Sequence, residues 1–231
     1  MIDPKRYEVL SFDCYGTLID WESGILGALR PVLLRHDVIL PDEEILQLYA
    51  ELEGMARQGK YMKYKDILRQ IVERFGHRLG FIPTPSELDC LVDSLGDWRP
   101  FPDTVSALQA LKEKFKLAAI SNIDDDLFAS SAKLLKVEFD WVITAEQAKS
   151  YKPSLEVFQF ALRKIGVPPA RVPHVAQSLY HDIAPARRMG LATVWVNRRR
   201  GREGFGATPP ASAHPDLEVP DLTALAAILN G

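Results

Sequence analysis

Four short stretches carry side chains able to act on a substrate, and each one follows an apolar run. FDCYGTLID (12–20) places Asp13 directly after YEVLSF. KLAAISN (116–122) ends in Ser121 and Asn122, SYKPS holds Lys152, and QSLYHD ends in Asp182. Together these groups can run a covalent displacement. A carboxylate such as Asp13 can attack as a nucleophile. Lys152 would hold it ionised and orient it. Ser121, Asn122 and nearby backbone N–H groups would bind the leaving group or a substrate anion. Asp182 would position or deprotonate a water that breaks the ester. Each residue alone also has a plain reading. Asp13 and Ser121-Asn122 suit turns, Lys152 suits a solvated surface, and Asp182 suits a helix N-cap. Their shared placement at the ends of apolar runs is what favours a site.

The elements that would position them follow from periodicity. Residues 7–12 form an expected strand, and Asp20 is placed to cap a helix starting near Trp21. Pro31 is expected to bend or shorten that helix. Helical patterning then continues to about residue 99, through EEILQLYAELEGMARQ, KYKDILRQIVERFGHRL and PSELDCLVDSLGDW. From TVSALQALKEKF onward, helices alternate with strands at 116–122, 139–145, 172–178 and 191–197. Such alternation predicts an α/β fold with a parallel sheet covered on both faces. Residues 1–19 and 100–231 would make the core, with the helical block 20–99 inserted between its first strand and the rest. Ligands of open parallel sheets bind outside the carboxyl ends of the strands, where the four stretches fall.

Bulk properties restrict the function classes. The chain has 231 residues, 47% hydrophobic and 26% charged, with a formal net charge of −3. That balance argues against a nucleic-acid or membrane partner. Cys14 and Cys90 are the only cysteines, so no disulfide framework or zinc knuckle can be read. With no signal-like N-terminus and no apolar run long enough for a span, a cytoplasmic protein is expected. Asp124-Asp125-Asp126 reads as charge at a helix N-terminus. Arg198-Arg199-Arg200 with Arg202 reads as a solvated loop, or as a clamp for a substrate carboxylate. Trp21 reads as packing or as an apolar wall for a small substrate.

The four stretches resemble, in order, the motifs of the haloacid dehalogenase (HAD) superfamily, and the resemblance spans nearly the whole chain. It implies a Rossmann-like HAD core with an all-helical cap inserted after the first motif. It also implies Asp13 as nucleophile, Thr17 and Ser121 as active-site hydroxyls, and Lys152 as the paired cation. Phosphatases of the superfamily carry a second Asp two residues after the nucleophile, where this chain has Tyr15. Their fourth motif begins with a metal-binding acid, where this chain has Gln177. A hard divalent cation needs several anionic oxygens, so no metal and no cofactor are expected.

The Asp-x-Tyr-Gly-Thr-Leu form is similar to the L-2-haloacid dehalogenase branch. FDCYGTLIDWESGI, SLYHD and RRRGREGFGAT are more closely similar to the branch that hydrolyses (S)-azetidine-2-carboxylate. The chain departs from the dehalogenases at Gln177, Ser178 and Leu179, which stand where they have Ser-Ser-Asn. It departs again at Phe158, where they have tyrosine. The resemblance implies displacement of a halide or strained ring amine at C2 of a small carboxylic acid. Tyr15, Thr17, Trp21, Ser121, Asn122, Gln177 and Ser178 would surround that substrate. Tyr15, Tyr180 and His181 are candidate proton sources for an amine leaving group, although ring strain could lower that barrier unaided, and the resemblance implies a possible homodimer. The alternatives are a phosphatase with a rewired acid and a non-catalytic ligand-binding use of the fold.

Overall fold

A computed structural model describes residues 3–202 and 204–231. The chain enters through a short 3₁₀ turn into β1 (Val9–Phe12), all four of whose residues are buried. A run of helices follows: α1 (Trp21–Arg35), α2 (Asp42–Ala56), α3 (Tyr64–Leu79), α4 (Pro85–Leu88) and α5 (Cys90–Ser94). The alternating part runs α6 (Thr104–Lys112), β2 (Lys116–Ser121), α7 (Asp125–Leu135), β3 (Trp141–Thr144), α8 (Ala145–Ala148) and α9 (Leu155–Ile165). It continues with β4 (His174–Ala176), α10 (Ala184–Arg188), β5 (Thr193–Val196), β6 (Leu217–Val219) and α11 (Leu222–Asn230).

The sheet order is β3-β2-β1-β4-β5-β6, and every pairing is parallel. With β1 in the interior, the chain crosses to one side for β2 and β3 and to the other for β4 to β6. Strand order thus reverses beside β1, where open parallel sheets place their ligands. Apolar residues such as Leu10, Phe12, Leu117, Ala119, Val175 and Val194 fill the larger core on one face. Val9, Ala118, Ile120, Phe158 and Ala161 fill a second core on the other.

Several expectations need correction. The strands are shorter at their ends than the apolar runs suggest, although flanking residues such as Glu8, Pro173, Ala192 and Asn197 still make backbone hydrogen bonds to neighbouring segments. β6 and α11 were not anticipated. Pro31 does not shorten α1, which runs on to Arg35. Pro31 and Gly27 both face solvent, so water can satisfy the Gly27 carbonyl that loses its helical donor. Asp182 is not a helix N-cap. It lies within a π-helical turn, Leu179–Ile183, whose cap is Ser178, accepting from His181 N at 2.8 Å. Such turns often occur at functional sites.

The helical segment is tied to the sheet domain by two sets of carboxylates. Asp124 was expected to charge its own helix. Its side chain instead accepts from the backbone N–H groups of Tyr64 (2.9 Å) and Lys65 (3.0 Å), capping α3. Asp126 pairs with Lys65 at 2.7 Å. On the other side, Arg199 donates to Glu22 of α1 (2.7 Å) and Glu43 of α2 (2.8 Å). The Gly206 and Ala207 N–H groups donate to the same two carboxylates. Gly206 has φ +62°, and a Cβ there would lie 1.9 Å from Glu22 Oε1. Glycine therefore permits both the left-handed backbone and the close approach. Arg198 and Arg199 are accordingly not solvated, whereas Arg200 and Arg202 are exposed as a loop reading expects. Arg198 donates to Thr17 O and Asp103 and lies over Phe101, and so does not act as a substrate clamp.

Candidate active site

Asp13 leaves the carboxyl end of β1 and is 7% exposed. Both of its carboxylate oxygens are held. Lys152 Nζ donates to Oδ1 at 2.8 Å, and Thr17 Oγ1 donates to Oδ2 at 2.7 Å. Thr17 is oriented in turn by the Gln177 N–H at 2.9 Å. The loop between these residues needs its glycine. Gly16 has φ +95°, and a Cβ would sit 2.8 Å from Trp21 Nε1. The chain turns sharply there and lays Trp21 beside the site.

Lys152 is almost fully enclosed, at 1% exposure. Its ammonium donates to Asp13 Oδ1 (2.8 Å), Asp182 Oδ1 (2.6 Å) and the Ile120 carbonyl (2.8 Å). All three of its protons are thus engaged. Asn122 fixes the backbone of Lys152 from both ends, accepting from its N–H at 2.7 Å and donating to its carbonyl at 3.0 Å. Burial favours the neutral form of an amine, but Asp13 and Asp182 outweigh it and raise the Lys152 ammonium above its ordinary range. Burial likewise raises the Asp13 carboxyl, against the opposing pull of Lys152 and Thr17. Asp182 goes the other way. Burial would raise it, yet Lys152 and His174 together hold it down to about 2.

A small cleft, partly open to solvent, lies above Asp13. Of the residues singled out in the sequence, Asp13, Tyr15, Trp21, Ser121, Asn122, Lys152, Gln177, Ser178 and Asp182 all line it. Thr17 does not. It is fully buried behind Asp13 and orients the carboxylate in place of touching a substrate. Asn122 reaches the cleft, but its amide serves Lys152. Ser121 Oγ is buried and makes no hydrogen bond among the described residues, so it retains a donor for a bound molecule.

In the opposite wall, Arg57 and Tyr64 carry no signal that the sequence reading used. Arg57, at the end of α2, lines the cleft together with Tyr64 and His181. Arg57 pairs with Glu53, which also accepts from Tyr64 Oη at 2.7 Å. Its guanidinium lies 5.7 Å from the Tyr64 ring centre and 5.1 Å from that of Tyr151. His181 Nε2 faces Arg57 Nη1 at 3.3 Å. Burial and the Arg57 charge hold the imidazole down to about 3, so it is neutral and accepts from Arg57.

The three candidate proton sources are poorly placed. The Tyr15 hydroxyl turns away to Ser131 at 2.8 Å, and burial raises it well above its ordinary range. His181 carries no extra proton at neutral pH. Tyr180 is 39% exposed and does not line the cleft.

A divalent cation does not fit these groups. Position 15 offers a phenol aimed at Ser131, and position 177 a neutral amide whose Oε1 faces Thr208 at 3.5 Å. The two nearby carboxylates are already bridged by Lys152. A hard cation prefers several anionic oxygens free to converge.

A Rossmann-like parallel sheet with an aspartate–lysine–aspartate set at its strand ends defines a hydrolase class. The chain belongs to the haloacid dehalogenase-like hydrolases, a family it matches over residues 7–190. Among its relatives is (S)-2-haloacid dehalogenase 1 of Pseudomonas sp. (strain CBS-3). The two are 26% identical over 96% of this chain and 97% of that one. A glyceraldehyde 3-phosphate phosphatase of Methanothermobacter thermautotrophicus is 35% identical over 80% of this chain and 84% of its own length. A crystal structure of an L-2-haloacid dehalogenase superposes with a TM-score of 0.81 at 26% identity, covering 97% and 99% of the two chains.

Proposed function

We propose that the protein hydrolyses a small carboxylic acid at C2 through an ester on Asp13, without a metal. The observation that carries this reading is the Asp13 carboxylate itself, held at both oxygens and facing a small cleft. An oxygen of Asp13 attacks C2 and expels the leaving group with its bonding electrons. Halide leaves as the anion. A strained ring amine that arrives as an ammonium carries its own proton and leaves neutral, so the absence of a nearby acid is no obstacle. Water then attacks the ester carbonyl carbon, and Asp182 takes its proton. As the tetrahedral intermediate collapses, Asp182 returns that proton to the departing 2-hydroxy acid, which carries one former oxygen of Asp13; Asp13 keeps the oxygen from water, whose second proton passes to solvent. The acid's own carboxylate is bound by the Ser121 hydroxyl and the Arg57 guanidinium, a planar fork suited to it. Residues 20–99 act as the cap that supplies Arg57 and encloses the substrate.

The dehalogenase relatives support a halide leaving group. The azetidine-2-carboxylate hydrolase resemblance supports a ring amine. Turnover of both L-2-chloropropionate and (S)-azetidine-2-carboxylate by chelator-dialysed protein separates the two. Single turnover in ¹⁸O-water tests the ester. The product of the first turnover should be unlabelled, and immediate entry of label would sink the covalent scheme.

The phosphatase relative favours a second reading, phosphoryl transfer on the same aspartate. Magnesium-dependent phosphate release from a phosphate ester would support it. Tyr15 and Gln177 weigh against it, because they stand where that chemistry needs carboxylates.

A further inference from the structure

Behind Asp182 lies a polar chain that the proposed reaction does not yet use. His174 on β4 and Ser11 on β1 are both fully buried. His174 Nε2 is 2.8 Å from Asp182 Oδ1, and its Nδ1 is 2.9 Å from Ser11 Oγ. Phe158 packs edge-on against the ring. The three side chains look like a serine–histidine–aspartate set, but the serine faces the core and no substrate can reach it. The chain must act toward Asp182.

Its proton positions are restricted. Ser11 Oγ lies within reach of both His174 Nδ1 and the Pro173 carbonyl, the latter at 3.1 Å. If the hydroxyl donates to Nδ1, the neutral ring carries its proton on Nε2. If it donates to Pro173, Nδ1 must be protonated to donate to Ser11, and Nε2 facing a carboxylate requires the imidazolium. In both arrangements Nε2–H donates to Asp182. Protonating Asp182 instead is opposed by Lys152, 2.6 Å from the same oxygen.

The donors from Lys152 and His174 therefore both converge on Oδ1 of Asp182. Among the described residues Oδ2 has no such bond. The geometry points to His174 as a positioning residue that fixes the plane of the Asp182 carboxylate, so that Oδ2 receives the proton of the water cleaving the Asp13 ester. This inference rests on the covalent reading above. Its effect falls on one step. Attack by Asp13 needs Lys152 but not the Oδ2 lone pair. Once Asp13 is esterified its charge is gone, and Lys152 alone cannot stop Asp182 from swinging about the shared oxygen.

The test is the partition between ester formation and ester hydrolysis, read by rapid quench and peptide mass with L-2-chloropropionate and (S)-azetidine-2-carboxylate. In His174→Leu the Asp13 adduct should form within a few-fold of the wild-type rate and accumulate. Its hydrolysis should slow about 100-fold, the usual penalty for an ångström-scale misplacement. His174→Gln places an amide N–H where Nε2 stood and should restore hydrolysis. His174→Asn reaches only the Nδ1 position and should behave like leucine. If leucine prevents folding, the Gln–Asn pair carries the comparison. Equal slowing of both steps, or Gln and Asn behaving alike, would overturn the role of His174. An Asp182→Asn control separates the two levels of the argument. If that variant traps no ester from either substrate, the covalent reading itself fails.

Discussion

The floor and the far wall of the cleft are built on different principles. The floor lies at the carboxyl edge of the sheet, where Asp13 follows β1, Lys152 follows α8 and Asp182 sits in the turn after β4. Asp13, Lys152 and Asp182 are nearly enclosed, and each ammonium proton of Lys152 has an acceptor. The wall stands on α2 and α3 of the helical segment. Its Arg57 is held by one carboxylate, two aromatic faces and a neutral imidazole, and its Nε, though buried, has no partner among the described residues. A saturated cluster resists rearrangement and suits bond making. A guanidinium with donors to spare suits holding a ligand. Under the proposed function, the difference assigns chemistry and recognition to separate parts of the chain, which should then respond separately to substitution.

The largest effect expected is on the floor. Asp13→Asn removes the proposed nucleophile and should lower kcat by roughly 10,000-fold or more. It should not lower the melting temperature. The Asp13 carboxyl is raised in the folded protein, so its ionisation costs stability as pH rises through that range, and a neutral amide avoids the cost. A marked loss of stability would show that the Asp13–Lys152 pair is a net stabiliser after all. Lys152→Met leaves two carboxylates buried without their cation. It should abolish turnover and destabilise the fold by about 3–5 kcal/mol, measured by urea unfolding near neutral pH.

On the wall, Arg57→Ala should act mainly on binding. KM should rise roughly 10- to 100-fold, the range for losing a charged hydrogen bond of about 1.5–3 kcal/mol, with kcat changed far less. A fall confined to kcat would instead place Arg57 with the chemistry and break the division between floor and wall. The pH dependence sharpens the same comparison. The acid limb of kcat/KM should lie above the ordinary aspartate range, because the raised Asp13 must lose its proton to attack. No limb near neutrality should belong to His181, held down to about 3. His181→Asn should therefore leave the shape of the profile between pH 5 and 8 unchanged. The smallest effect expected is from Tyr15→Phe. The hydroxyl serves Ser131 and not the cleft, so turnover should change less than about 3-fold, with roughly 1 kcal/mol of stability lost.

The same division explains what could be read from the sequence. Floor residues are legible because β1, β2 and β4 are short apolar runs, each ending in a polar group at a recognisable spacing. Even there the assignment was partial. Thr17 and Asn122 share the motif positions, but their hydrogen-bonding capacity is spent on Asp13 and Lys152. The wall left no comparable signal. Arg57 sits in ARQGK, a stretch that looks like any exposed helix end, and only the fold turns it toward Glu53 and Tyr64. The burial of Tyr49, Glu53 and Tyr64 together follows from helix rotation, which apolar periodicity sets only coarsely. One mark of the polar chain behind the site is legible in the sequence: a histidine amid VPHVA, an apolar strand otherwise free of ionisable groups. Buried polar side chains require partners, so His174 demanded one, and Asp182 was among the few candidates downstream.

The cap that Asp124 places on α3 bears on how the chain is made. Asp124 follows Tyr64 by 60 residues. On the ribosome, α3 is therefore complete in sequence long before the carboxylate that satisfies its first N–H groups has emerged. Nor does Lys63, at the N-cap position, supply a side-chain bond in the meantime. The first turn of α3, which carries Tyr64 into the cleft, is finished only when the second strand of the sheet and its following loop have been delivered. Completion of the wall thus waits on synthesis of the floor.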